Sequence, residues 1–365
     1  MFEHYGTQNP GERFCVELIL GLIPYVTDFQ DLPSPCTHEG RPLLELPKEW
    51  MTVTNSPCIR NGTAFEKCFA VCAVAIFSLP LQAQYLGDQY PGLVGLNAGS
   101  QPAPGVYVTI PLYLRDSEIG VHNAQGDEIF KNVRGTLGLW VLPAATVVTP
   151  LKILGANYSF GVTQWQINGT LNVAANNIQK SSGYNYGDLY VQPVTLGWHT
   201  NHVDTTIGYA FFAPTGVEAS GQQMWVNEAI AGFTVRPGKN FNLSTVAFYD
   251  FHHKKEDSDI KVGNILTLGG GIGRSFLHGA GNVGVAYSAQ WKVTHDKGSD
   301  IPRLLPITNG RVFGVGPQLD VPVFAKGASL GILGFRYEWL VGAKTALGGQ
   351  ILVASFTFAT IAKAK

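Results

Sequence analysis

Apolar and polar residues alternate along most of the chain after residue 104, most clearly between Asn282 and Val293. One face of that run carries the side chains of Val283, Val285, Tyr287, Ala289, Trp291 and Val293. The other face is polar or small. Because successive side chains of a strand point to opposite sides, this period of two predicts a β-strand. The same split recurs over Arg311–Val323 and Gly334–Trp339.

Clusters of Gly, Pro, Asn and Asp separate the alternating runs and mark where strands should end. Connections after odd-numbered strands, such as 166–187, 254–260 and 295–310, are long or charged, whereas those after even-numbered strands, such as 236–239 and 277–280, are short. Long loops at one end and tight turns at the other are typical of outer-membrane barrels. The pattern predicts about twelve strands, at 105–115, 127–141, 151–165, 188–199, 202–213, 223–235, 240–253, 261–276, 280–294, 311–324, 328–340 and 347–358.

The predicted fold is all-β: a transmembrane, antiparallel up-and-down β-barrel of about 12 strands over residues 105–358. A soluble β-sandwich or lipocalin-like barrel alternates in the same way but places its apolar face inside. That alternative stays open here because the sequence does not show which face is inside. Strand lengths of roughly 11 to 16 residues favour the membrane barrel, as do the Gly, Ala and Ser residues of the polar face.

Composition excludes several classes of protein. A formal net charge of -1 with 14% charged residues argues against a nucleic-acid partner. Disorder is excluded because 45% hydrophobic and 11% aromatic residues can bury a core. A bundle of membrane-spanning helices needs several apolar runs of about 20 residues, and the chain has only one candidate run, near residues 68–80.

The N-terminal part differs from the rest, since all 5 cysteines lie between Cys15 and Cys72. Residues 67–83 have a basic flank, an apolar stretch and a small residue at the cleavage position, so we expect a signal peptide cleaved after Ala83. Because signals are N-terminal, Met51 is a plausible true start and residues 1–66 an extension without assigned chemistry. An unrelated soluble N-terminal segment is the alternative. Residues 84–104 predict an irregular lead-in to the barrel.

Four segments carry a resemblance to a known family: Gly92–Val108, Gly187–Pro193, Phe211–Gly216 and the closing strand to Phe358. They resemble the phenol meta-degradation (MetA-pathway of phenol degradation) family of Gram-negative outer-membrane proteins, which are often described as transporters. Over roughly residues 90–358, the resemblance implies an outer-membrane barrel associated with aromatic-compound catabolism, and it supplies no catalytic residues. Residues 1–66 have no counterpart, and the tail 359–365 extends beyond the usual terminal aromatic residue.

The sequence gives only weak signals for catalytic or metal-binding groups. Residues 199–204 place two histidines and an aspartate at a predicted turn, and Asp250 and His252 project to one face at i and i+2. Polarity at the barrel rim is the simpler interpretation of both groups. The chain has no Gly-x-Ser-x-Gly elbow, and the glycines of 269–273 indicate strand curvature or close packing rather than a phosphate loop. We therefore expect no enzyme activity, metal or cofactor.

The lumen is the better place to expect function. Polar faces of the predicted strands carry candidate lumen-lining or selectivity residues: Glu228, Asp250, His252, Ser288, Gln290, Lys292, Gln318, Asp320, Arg336 and Glu338. They could form a mixed-sign ring in a narrow channel, or charged pairs that hold strands together and plug the lumen. About twelve strands leave too little room for a wide aqueous pore.

Three functions follow from this interpretation, in decreasing order of support. The first is a cell outer-membrane channel or transporter for small, hydrophobic or aromatic molecules, inserted in the lipid bilayer by the barrel-assembly machinery. The second is a non-transport envelope scaffold or surface-binding barrel whose loops 166–187 and 295–310 bind partners. The third is a barrel enzyme that uses the face shared by Asp250 and His252.

Overall fold

The computed structural model describes residues 88–118, 127, 133–141, 144–173, 178–181, 183–217, 220–238, 240–277, 280–301, 310–325, 328–344, 346 and 348–361. The predicted N-terminal extension (1–66) and signal peptide (67–83) lie outside these residues, as does most of the predicted tail. Within the described residues, no helix is long and apolar enough to cross a membrane.

All regular secondary structure of the described chain is β-strand. The strands are β1 (Gly105–Glu118), β2 (Val133–Val141), β3 (Ala144–Ile153), β4 (Ala156–Val173), β5 (Ile178–Ser181), β6 (Asn185–His199), β7 (Val203–Ala213), β8 (Val226–Gly238), β9 (Phe241–His252), β10 (Ile265–Phe276), β11 (Gly281–Lys292), β12 (Arg311–Ala325), β13 (Ala328–Lys344) and β14 (Gly349–Ile361).

The strands form one closed antiparallel ring. From β6 to β14 each strand pairs with its neighbours in chain order, and β14 closes the ring by pairing with β1 from Gly105↔Ile361 to Asp116↔Gln350. β2 and β3 both pair with β1 and β4, so together they occupy one position of the wall. β5 pairs with β4 and lies off the ring. The described strands therefore build a 12-strand barrel, whose closed ring has no free sheet edge apart from the short β5 outside it.

One turn differs from the sequence-based prediction. The predicted break at 142–150 and the predicted strand end at 165 were wrong: β3 continues the wall, the turn comes at Leu154 (φ 51°) and Gly155 (φ 81°), and β4 runs to Val173. The predicted break contains Pro143 and Pro150, and proline cannot donate to a ladder. The structure accommodates Pro150 within β3 by a register shift between Val148 and Lys152.

The two ends of the barrel differ, as the loop lengths predict. At one rim, here called the turn end, short connections follow β3, β6, β8, β10 and β12. At the other rim, the loop end, the connections include 119–132, 214–225, 253–264 and 293–310. Both β1 and β14 meet the turn end, at Gly105 and Ile361. This asymmetry is that of an outer-membrane barrel.

The apolar face of the strands points outward. On β11, Val285 is 52% exposed, whereas Gln290 is 0% exposed. Ile272 and Trp339 are likewise exposed on β10 and β13. A soluble barrel has the opposite arrangement, with large apolar side chains inside. The soluble alternative is therefore excluded, and the outer surface suits contact with hydrocarbon.

Candidate functional site

The lead-in lies inside the lumen. Residues 88–104 contact strands all around the ring, which is possible only from inside. At the loop end, Asp88 contacts His252 of β9, with 3.1 Å between Oδ2 and Nε2. Near the turn end, the Gln101 side chain donates to Ser159 Oγ of β4 at 2.7 Å. The segment thus crosses the barrel from the loop end to the turn end, which the sequence did not reveal.

Arg336 and Gln318 hold the middle of the lead-in. The guanidinium of Arg336 donates to the carbonyl oxygens of Gly92 and Val94 and to Gln318 Oε1. The same Oε1 accepts a hydrogen bond from the backbone N–H of Leu96 at 3.0 Å. The fork of donors suits arginine because lysine presents one point of charge. These contacts satisfy backbone groups of an irregular segment that no strand pairs.

The lead-in and the barrel wall approach each other so closely that several contact positions on both must be glycine. A Cβ at Gly95 would lie 2.0 Å from Arg336 Nη2, and one at Gly99 would lie 2.2 Å from the Phe233 backbone. On β10, a Cβ at Gly269 would lie 2.3 Å from Val94 Cγ2. The glycine cluster of residues 269–273 therefore serves close packing, one of its two predicted roles. Glycine content in the lead-in was the signal that could have indicated a packed segment.

The predicted lumen residues lie at several heights rather than in one ring. Asp320 accepts from the Gln318 amide at 3.0 Å, toward the turn end. Closer to the loop end, Ser288 donates to Glu338 Oε2, and Gln290 donates to the Gln89 carbonyl oxygen at 2.8 Å. Most of these side chains therefore contact each other or the lead-in.

Four more predicted residues lie at the loop end. Glu228 accepts a 2.8 Å hydrogen bond from the Tyr190 hydroxyl. Asp250 and His252 face Asp88 of the lead-in. Lys292 forms a 2.8 Å ion pair with Asp296 and so is engaged by the loop that follows β11.

A buried amine lies close to this group. Lys255, in the loop after β9, is 4% exposed, and its Nζ has no hydrogen-bond partner among the described residues. Burial lowers the pKa of this amine to about 8, while Asp88 and Asp188 oppose the shift. The loop end of the lumen thus combines several carboxylates with the poorly solvated amine of Lys255.

At the turn end, Asp204 joins one of the two predicted histidines to the wall. Asp204 is buried and pairs with Arg236 at 2.7 Å and with His199 at 3.2 Å. Arg236 also donates to Ser100 of the lead-in. His202 lies exposed in the turn. This cluster joins the turn between β6 and β7 to β8 and to the lead-in.

A cavity of about 400 Å³ remains beside the lead-in. Its wall includes residues of β1, β3, β4, β6 and β14, with hydroxyl, amide and apolar groups mixed: Pro111, Thr146, Val148, Thr163, Gln192 and Ser355. Of the predicted lumen residues, Gln318, Asp320 and Arg336 also border it. The lumen is therefore narrowed by the lead-in but keeps an internal space.

Aromatic rings lie at the border of this space. The Tyr90 ring packs 5.9 Å from Trp165 in an edge-on arrangement and 5.9 Å from Tyr113. Trp165 also lines the cavity. Because all three rings meet where the lead-in crosses between β1 and β4, they fix it against that wall.

A family model described as "Putative MetA-pathway of phenol degradation" matches residues 131–323, which is more than half of the chain. No curated protein matches. Among solved structures, the COG4313 outer membrane channel from Pseudomonas putida F1 is similar with a TM-score of 0.61 and 10% identity, over 75% of this chain and 100% of that chain.

More distant barrels match as well. The transport unit of the autotransporter AIDA-I from Escherichia coli has a TM-score of 0.42 and 13% identity, over 73% of this chain and 93% of that chain. Outer membrane phospholipase A from Escherichia coli has a TM-score of 0.34 and 11% identity, over 69% and 96%. The first structure shares the fold of this chain, that of an outer-membrane barrel, and the other two are too distant to support an argument.

Proposed function

Because this chain belongs to the MetA-pathway phenol-degradation family, we propose that it is an outer-membrane channel that admits small hydrophobic or aromatic molecules. The observation that carries the proposal is the cavity of about 400 Å³ between the lead-in and the barrel wall. A space of this size accommodates a single-ring compound and lies within the usual range of small-molecule sites. The lead-in inside the lumen argues against a wide pore.

The chemistry of the lining supports this substrate class. Pro111 and Val148 offer apolar contact, whereas Thr146, Thr163 and Gln192 offer hydrogen-bonding groups. A ring that carries a hydroxyl group needs both kinds of partner. Binding that is weak and spread over several groups also permits release on the far side.

Selectivity is proposed for three of the predicted lumen residues. Gln318, Asp320 and Arg336 border the cavity and bring both signs of charge to it. The other predicted residues contact the lead-in, the wall or a loop, and we assign them a structural role in holding these parts together. We propose no catalytic role for any of them.

The proposed location is the outer membrane of a Gram-negative cell. The outward-facing apolar residues, such as Val285 and Ile272, support contact with the lipid bilayer. Export through a signal peptide cleaved after Ala83, and insertion by the barrel-assembly machinery, belong to the same proposal.

Liposome uptake tests the channel. We expect liposomes that contain the purified protein to take up phenol or another single-ring phenolic faster than protein-free liposomes. Thr163→Trp should lower this uptake toward the protein-free level because its indole would fill the cavity. Val162→Trp is the matched control, since Val162 is the preceding residue of β4 and is 43% exposed on the outer face.

Two results would reject the proposal. One is uptake by the wild-type protein no faster than by protein-free liposomes. The other is equal uptake by both tryptophan variants, which would separate transport from the cavity.

The scaffold function is the second candidate, and the ordered loops favour it. Loops 253–264 and 293–301 pair through the backbone of Lys261 and Lys297, with N···O distances of 2.7 and 2.9 Å. A protein with this function would bind cell-surface partners through these loops and would show no phenol uptake.

A further inference from the structure

Three potential metal ligands meet where the lead-in enters the barrel. Asp88, Asp250 and His252 are buried, and one ligating atom from each lies within 4.8 Å of the others. The Nε2 of His252 is already 3.1 Å from Asp88 Oδ2, close to the separation of two ligands on one small ion. The sequence showed only Asp250 and His252 on one strand face, and the fold adds Asp88.

A second observation points to a bound cation. Glu228 lies directly opposite Asp250 in the β8–β9 pair, and both side chains are 0% exposed. Each keeps a carboxylate oxygen, Glu228 Oε2 and Asp250 Oδ1, without a hydrogen-bond partner among the described residues. Like charges in such a pair are unfavourable, and buried carboxylates are costly unless positive charge compensates them. The buried amine of Lys255 interacts with Asp88, but it supplies one positive charge against the three carboxylates of Asp88, Glu228 and Asp250.

We propose that Asp88, Asp250 and His252 bind one divalent transition-metal ion. Two carboxylates and one imidazole suit Zn²⁺ or Mn²⁺ better than Ca²⁺ or Mg²⁺, which prefer oxygen ligands alone. Glu228 increases the negative charge beside the ion and thereby favours its retention. Because Asp88 belongs to the lead-in and the other two ligands to β9, the ion fastens the lead-in to the wall at the loop end.

Metal binding is measured on the full processed chain in detergent, purified without a histidine tag and stripped with a chelator. We expect equilibrium dialysis with Zn²⁺ or Mn²⁺ to give one tightly bound ion per chain. Asp88→Asn, Asp250→Asn and His252→Gln should each lower the affinity by at least about tenfold, since each removes a ligand. The ion should also slow hydrogen exchange of the lead-in in the wild-type protein, and not in Asp250→Asn.

Asp320→Asn is the matched control, because Asp320 is a lumen carboxylate on β12, three strands away from β9, whose oxygens accept from the Gln318 amide. It should bind the ion as the wild type does. Slower migration on a gel after boiling shows that each variant is a folded barrel. The proposal is wrong if no stoichiometric binding is seen, or if all three ligand variants bind as the wild type does, which would place the ion at surface histidines.

Discussion

At the scale of single residues, contact between the lead-in and the wall depends on the absence of a side chain at Gly95. A Cβ there would lie 2.0 Å from Arg336 Nη2 and 2.1 Å from Gln318 Oε1. These two side chains hold the backbone of Gly92, Val94 and Leu96. A single methyl group would therefore displace the groups that fix the segment.

Gly95→Ala should lower the stability of the barrel by about 1–3 kcal/mol, the usual effect of overpacking. Thermal unfolding in detergent measures it, followed by the loss of the compact form on an unboiled gel. The control is Gly238→Ala, because among the described residues, its chain neighbours aside, no atom lies within 4 Å of a Cβ at that position. Equal melting temperatures for both variants would show that the packing of Gly95 contributes nothing.

For single residues, the sequence predicted which strand faces are polar but not which residues those faces contact. The polar faces of β9, β11, β12 and β13 were identified correctly because alternation is a local property. Their partners were not, since Leu96 and Gln318 are separated by 222 positions. Asp88 gave no signal at all, because a single carboxylate in an irregular segment has no period.

At the scale of elements, two loops at the loop end are joined through Asp259. Its carboxylate pairs with Lys254 at 2.9 Å and accepts from the backbone N–H and the hydroxyl of Ser299 at 2.9 and 2.7 Å. These partners hold the pKa of Asp259 well below its usual range. The two loops therefore share one charge-dependent contact.

Acid should separate these loops. A carboxyl group with a lowered pKa contributes stability above its unfolded pKa of about 3.9 and loses that contribution as the pH falls through the folded value. We expect cleavage within 253–264 by pepsin to increase as the pH falls below about 4. Asp259→Asn should be cleaved readily throughout that range, and Asp257→Asn, in the same loop, should behave as the wild type. Cleavage that does not depend on Asp259 would contradict this.

Element-scale prediction was good where glycine, asparagine or aspartate alone ended a strand and poor near Pro150. Proline has two meanings in a sheet: it ends a strand, or it lies where the ladder is interrupted by a bulge. Only the pairing of β3 with β4 distinguishes them, and that pairing is not readable from residues 142–165 alone.

At the scale of the whole molecule, closure of the strand ring does not depend on the lead-in. The wall is closed by pairing of β1 with β14, and this pairing involves no residue before Gly105. The lead-in adds side-chain and backbone contacts inside. We therefore expect the barrel to form without residues 88–101.

Deletion of 88–101 should leave a protein that still migrates faster on an unboiled gel and has a larger single-channel conductance than the wild type. The reason is that the lead-in occupies the space beside the cavity of about 400 Å³. Conductance in planar bilayers measures the change, with the full-length chain as reference. An unchanged conductance would mean that another part of the chain limits the passage.

The lead-in also constrains the order of assembly. It crosses the lumen from the loop end to the turn end, and Val94 and Leu96 pack against Gly269, Gly271 and Gly273 of β10, where a Cβ would lie 2.3 to 2.9 Å from their side chains. Such a fit is easier to reach while the seam between β1 and β14 is still open than by drawing a chain through a finished cylinder. We therefore expect the seam to be the last pairing to form in the full-length chain, with the segment that narrows the channel already in place when the sheet closes.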